Sequence, residues 1–180
     1  MPQPVLTADD VIAWNEKTSQ EWRKFLIEHP EVLTLPCDIA GAKTVGETLQ
    51  HIVAVELRYA ERLSGLPASD YAAVPCDSAE VIYATHDRAI ALLRQLLAAD
   101  TVEWDKKIDF PTRSLGPVRS TPKDVFFHAQ LHSIRHYAQL ATLVRQHGIK
   151  KAWPLDYLAM HLERLDPNSE EGRKLANQPT

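Results

Sequence analysis

Apolar residues recur three and four apart in four long stretches of this chain, and each stretch opens on a helix-start signal. Thr7-Ala8-Asp9-Asp10 puts a capping hydroxyl ahead of two acids, which the helix dipole favours in a first turn. Thr44-Val45-Gly46-Glu47 has the form of a capping box. Ser78-Ala79-Glu80 opens the third stretch. Thr121-Pro122-Lys123-Asp124 opens the fourth, with proline at the first helical position, where its missing N–H costs nothing. Pro30, Gly65 and Gly148 supply stops. The pattern predicts helices over 8–29, 45–64, 79–98 and 122–147, and a short fifth from Leu155 to Leu165 behind Pro154.

The connections between these helices are longer than the turns of a simple up-and-down bundle. Long connections permit two consecutive helices to run parallel. The third, over 99–121, contains Val102-Glu103-Trp104 and Lys107-Ile108-Asp109-Phe110 before Pro111, Gly116 and Pro117, and has room for a two-stranded ribbon. The expectation is an all-α fold in one domain, residues 1–166, followed by a polar, frayed tail over 167–180.

Composition narrows the function classes. Hydrophobic residues make up 44% of the 180 and charged residues 24%, enough to build a core and so to exclude disorder of the whole chain. Net charge is −4 and no basic block stands out, which argues against a nucleic-acid partner. No apolar run reaches the roughly 20 residues needed to span a bilayer, so no membrane role is expected. The first ten residues lack a basic segment followed by an apolar one, so a cytoplasmic location is expected. In that compartment Cys37 and Cys76, in the similar tetrapeptides Leu35-Pro36-Cys37-Asp38 and Val74-Pro75-Cys76-Asp77, are free loop thiols.

The chemistry concentrates in the last long helix, where His128, His132 and His136 are spaced four apart. Neighbouring pairs at that spacing can converge on one ion. All three cannot, because each four-residue step drifts about 40° around the helix. With His132 as origin and about 100° per residue, Val125, Phe126, Ala129, Leu140, Leu143 and Val144 cluster from about +20° to +120°. His136 falls inside that arc, His132 at its edge and His128 outside it, with Gln139 facing near the inward pair. Two inward imidazoles without a metal would need some other way to satisfy buried polar rings. The absence of a Glu after the first His excludes the zincin motif.

Further ligands remain open among His29, His51, His86, His147 and His161. His51 is only marginally inward on its own helix. Glu47 lies four residues before His51, but reads first as the capping-box acid. Glu56 projects into its helix's apolar arc, and an arginine from a neighbouring helix is its expected partner ahead of a metal. No Glu-x-x-His occurs, which excludes a ferritin-like di-metal site.

The stretch from Phe127 to Gln146, with Gly148-Ile149 and Pro154-Leu155-Asp156-Tyr157-Leu158 after it, resembles the C-terminal half of the DinB-like family. The stretch from Thr44 to Glu56 resembles the start of that family's second helix. The resemblance implies an up-down-down-up four-helix bundle, often dimeric, with a three-His metal site formed here by His51, His132 and His136. In that order the second and fourth helices run antiparallel, which brings His51 and His136 to within about a turn in height. It would also bring Cys37 and Cys76 to the same end of the bundle. Family members often carry Arg-Gly-Gln directly after the last His. Here the residues are Tyr137-Ala138-Gln139, which weakens the carry-over of any particular substrate.

Three imidazoles on a divalent ion, Zn or Ni first and Fe after them, leave a position open for water or thiolate. The resemblance therefore implies a metal-dependent S-transferase or hydrolase acting on a small molecule with a low-molecular-weight thiol. Two other readings stay open at this point: a non-catalytic stress-response bundle whose metal is structural, and a partner-binding bundle with no metal.

Overall fold

The computed structural model describes residues 4–176. Four long helices carry the fold: α1 (Ala8–Glu28), α2 (Val45–Leu63), α3 (Ala79–Ala98) and α4 (Pro122–Gln146). Each begins where its start signal lies. Thr7, Thr44, Ser78 and Thr121 all accept a backbone N–H from the first turn through their hydroxyls. Glu47 serves its cap rather than a metal: its N–H donates to Thr44 Oγ1 at 3.2 Å and its carboxylate accepts Lys43 N–H at 2.6 Å.

α2 packs against α3 and α4, and α1 packs against the same two. The core has two apolar clusters, one at each end. One gathers Trp22, Leu49, Ile52, Tyr83, Tyr137 and Leu140 with their neighbours. The other gathers Ile12, Leu57, Ile90, Leu93 and Phe126. Between them lies a buried polar knot to which all four long helices contribute. Asn15 Nδ2 donates to Glu56 Oε1 at 2.7 Å and to Gln130 Oε1 at 2.9 Å. His86 Nδ1 lies 2.7 Å from Glu56 Oε2, and its Nε2 lies 2.7 Å from Ser19 Oγ. The partner of Glu56 is thus His86 together with Asn15, not the arginine expected from the sequence. An imidazole one helix away meets the carboxyl without the length that would carry a guanidinium head toward solvent.

Two parts of the chain differ from the sequence-based expectation. The segment from Leu155 to Leu165 holds only a 3₁₀ turn, Tyr157–Met160. Its carbonyls are taken by α1: Trp14 Nε1 donates to Leu155 O at 3.0 Å and Lys17 Nζ to Ala159 O at 2.8 Å. Tyr157 packs edge-on against Trp14, while Leu158 and Leu162 face solvent, so the segment has no single apolar face to bury as a helix. The fifth α-helix lies instead in the tail, as α5 (Glu170–Ala176). Ser169 Oγ accepts Gly172 N–H at 3.0 Å to start it. The connection between α3 and α4 does hold a ribbon, with β1 (Ile108–Thr112) pairing antiparallel to β2 (Gly116–Ser120). Val102-Glu103-Trp104 takes no part in it. Among the described residues no helix is long and apolar enough to cross a membrane.

Candidate metal centre

α2 and α4 pack against each other, and their facing edges bring three imidazoles together. His51, on α2, is half-buried. His132 and His136, one turn apart on α4, are buried. One ligand-capable nitrogen from each falls within 4.8 Å of the other two. The ring centroids of His51 lie 4.8 Å from His132 and 5.0 Å from His136. No Asp, Glu or Cys joins the cluster among the described residues. His128 is exposed on the same helix, its ring tilted 5.5 Å from that of His132, and stands outside the cluster as the angular argument requires. His86 belongs to the polar knot, and His29 and His147 cap the C-terminal ends of α1 and α4.

Neighbouring groups orient the rings. Gln139 Oε1 lies 2.6 Å from His136 Nδ1. An amide oxygen only accepts, so the proton sits on Nδ1 and the lone pair on Nε2. Arg135 Nη2 donates toward that Nε2 at 3.1 Å, and His132 Nε2 lies 3.2 Å from it. Tyr71 Oη lies 2.9 Å from His51 Nδ1. Tyr71 is itself held by α2. The carboxylate of Glu61 accepts Ser69 N–H and Ser69 Oγ–H at 2.7 Å each, and Asp70 Oδ1 accepts Ala72 N–H to form the short turn that carries Tyr71. Nothing in the local sequence connects Tyr71 to His51, whereas Gln139 was already marked as a neighbour by its helical angle.

Burial away from water is the main reason these imidazoles hold protons weakly. His51 is pushed down to about 4 and His132 to about 2, each lowered further by the neighbouring rings. His136 is lowered for the same first reason, with the Gln139 hydrogen bond opposing the shift. Three neutral, nitrogen-donor rings converging at this distance fit a divalent cation. His132 turns its Nε2 to His136 Nε2 at 3.2 Å, where one ion could accept both lone pairs, and its Nδ1 is buried with no hydrogen-bond partner.

The cluster forms one wall of a cavity of about 540 Å³. The stripe His51, Val55, Arg58, Tyr59 and Arg62 on α2 lines it, as does the matching edge of α4 and the turn of the β1–β2 ribbon at Pro111–Ser114. The two cysteines lie apart from it, both near the first turn of α2. Cys37 Sγ contacts Thr48 Oγ1 at 3.1 Å, and the Cys76 carbonyl lies against Gly46. They share one end of the fold as expected, and both are free.

The family model described as the DinB family matches residues 1–171. No curated protein matches the chain.

Proposed function

The chain belongs to the DinB family, and from that premise we propose that it is a divalent-metal-dependent enzyme, an S-transferase or hydrolase, whose ion is held by His51, His132 and His136. The observation that carries the reading is the opening of a three-imidazole cluster, with no fourth protein ligand among the described residues, into a cavity of about 540 Å³. A structural site is normally closed by four protein ligands, and a catalytic one keeps a position free. That volume is in the range of small-molecule sites, roughly 300–1,000 Å³.

The chain's own residues do three things in this reading. Tyr71 and Gln139 fix ring orientation, and Gln139 also fixes the tautomer of His136. The apolar stems of α2 and α4 keep bulk water from the buried rings. The cavity admits a substrate to the exposed side of the cluster. A bound Zn²⁺, Ni²⁺ or Fe²⁺ would supply a lowered pKa to a water or thiol at the open position. A low-molecular-weight thiol is the favoured nucleophile and the family resemblance is its support.

The bundle itself is proposed as up-down-down-up. The order of cross-helix contacts supports it. Residues 15 and 22 of α1 meet 130 and 137 of α4, which is parallel. Residues 51 and 59 of α2 meet 132 and 128 of α4, which is antiparallel.

The test is elemental analysis and metal titration of the full chain. One equivalent of Zn²⁺ or Ni²⁺ is expected, with a rise in thermal midpoint, abolished in His132→Ala and retained in His128→Ala. No bound ion and no thermal shift with either metal would overturn the reading.

A further inference from the structure

We infer that the cavity beside the three imidazoles takes an organic anion, whose carboxylate or phosphate is held by arginines while its other end lies against the histidines. This names a substrate class for the proposed enzyme and rests on that reading only for the role of the histidines.

Arg58, Arg62, Arg113 and Arg135 all line the cavity, and no Asp or Glu does. Four of the seven arginines elsewhere find carboxylates: Arg23 pairs with Asp87, Arg88 with Glu61, Arg94 with Glu16 and Arg119 with Asp109. None of the four cavity arginines forms an ion pair among the described residues. The chain as a whole carries −4, so four uncompensated cations around one cavity run against its average.

What holds these guanidiniums leaves their charge intact. Arg58 donates to the Ser69 carbonyl. Arg62 stacks over the Phe110 ring at 4.8 Å, with its Nη2 3.5 Å from Pro111 O, and its Nε is buried without a partner. Arg113, at the ribbon turn, lies over the Tyr71 ring at 4.3 Å. Arg135 reaches His136. Aromatic faces and carbonyls orient the planar forks and leave N–H groups for a ligand. Gathering like charges at the mouth of a low-dielectric cleft is unfavourable until an anion enters, and the same field draws anions in. A positively charged organic substrate, which unlike a metal ion gains no coordinate bonds from the imidazoles, is repelled by it, and a neutral molecule leaves it unanswered.

The four arginines fall in two tiers. Arg113 and Arg135 stand beside the imidazoles. Arg58 and Arg62 stand farther along α2, about 10 and 16 Å beyond His51 at 1.5 Å per residue. The far tier suits the anionic group of an elongated molecule whose reacting end is at the histidines.

The experiment is calorimetric titration of the full chain, zinc-loaded and metal-free, with succinate, inorganic phosphate and the neutral diamide succinamide. At least one anion is expected to bind roughly tenfold or more tightly than the diamide, the worth of one charge-assisted hydrogen bond. Its affinity is expected to fall by a similar factor in Arg58→Met or Arg62→Met and to weaken with added salt. The succinate and phosphate arms distinguish a carboxylate from a phosphate ligand. Arg113→Gln and Arg135→Gln, at exposed positions, keep the test intact if the half-buried variants fail to fold. Equal binding of the diamide, or unchanged anion affinity in every folded arginine variant, would overturn the inference. Zinc stoichiometry is measured in the same samples. Arginine-dependent anion binding without zinc uptake upholds this inference and sinks the metal reading, while zinc uptake with arginine-independent binding sinks this inference alone.

Discussion

Two side chains outside the imidazole cluster decide how it presents itself. Gln139 fixes which nitrogen of His136 carries the proton, and Tyr71 fixes where the His51 ring points. Removing such partners commonly costs metal affinity about 10- to 100-fold, so Tyr71→Phe and Gln139→Ala are expected to weaken Zn²⁺ binding by that order in a competition titration. Protonation gives a second check. His51 and His132 in the folded, metal-free protein lie at about 4 and about 2, below the ordinary 6.5 of an unfolded chain. Between those values the unfolded chain takes up protons that the folded one refuses, so stability falls as pH drops from about 6.5 toward 4. Urea midpoints across that range are expected to decline, and to decline less steeply in His132→Phe. A flat wild-type profile would contradict the burial argument. At this scale the sequence shows its periodic residues well. His132 and His136 stand out because they share a helix face with apolar neighbours. His51 sits at the margin of the α2 arc, so its own helix barely marks it and only the family resemblance brought it forward. Tyr71 is twenty residues from His51 in the chain, and no local pattern encodes a contact made by a loop.

Local hydrogen bonding explains why helix boundaries were so legible. All four long helices start at their capping hydroxyl and end within one residue of the expected stop. Thr121 is the cap of the helix that carries His132 and His136, and its Oγ1 accepts Asp124 N–H at 3.1 Å. Thr121→Ala is expected to cost about 1 kcal/mol in urea denaturation, and Thr121→Ser to restore most of it. Elements that depend on distant partners were less legible. The 155–165 segment has helical-looking leucines, but α1 takes its carbonyls through Trp14 and Lys17. The ribbon between α3 and α4 was readable as a place for strands. Its pairing of 108–112 with 116–120 depends on the Thr112–Gly116 turn, in which Gly116 adopts φ 69°. That turn sets the ribbon tip, with Arg113, over the cavity.

Across the whole molecule, the central polar knot ties α1, α2, α3 and α4 at one level between two apolar clusters. Glu56 is wholly buried and His86 nearly so. Breaking such a pair leaves one buried polar atom of the survivor unpaired, so Glu56→Ala and His86→Ala are each expected to cost about 1–3 kcal/mol by chemical denaturation. The double variant is expected to cost much less than their sum, since neither partner is then left alone. The sequence marked Glu56 as odd but could not find His86, because the partnership exists only once α2 and α3 lie side by side. A helix that docks a turn too high or too low leaves a carboxyl facing hydrocarbon. Wrong assemblies of these amphipathic helices are therefore penalised at the one level where every helix must agree. The knot works as a checksum on assembly, and it lies a little over one turn along α2 from His51. A redesign that filled it with leucine and phenylalanine would give up the signal that tells α2 and α4 where to stop sliding, and with it the alignment that lets three imidazoles meet.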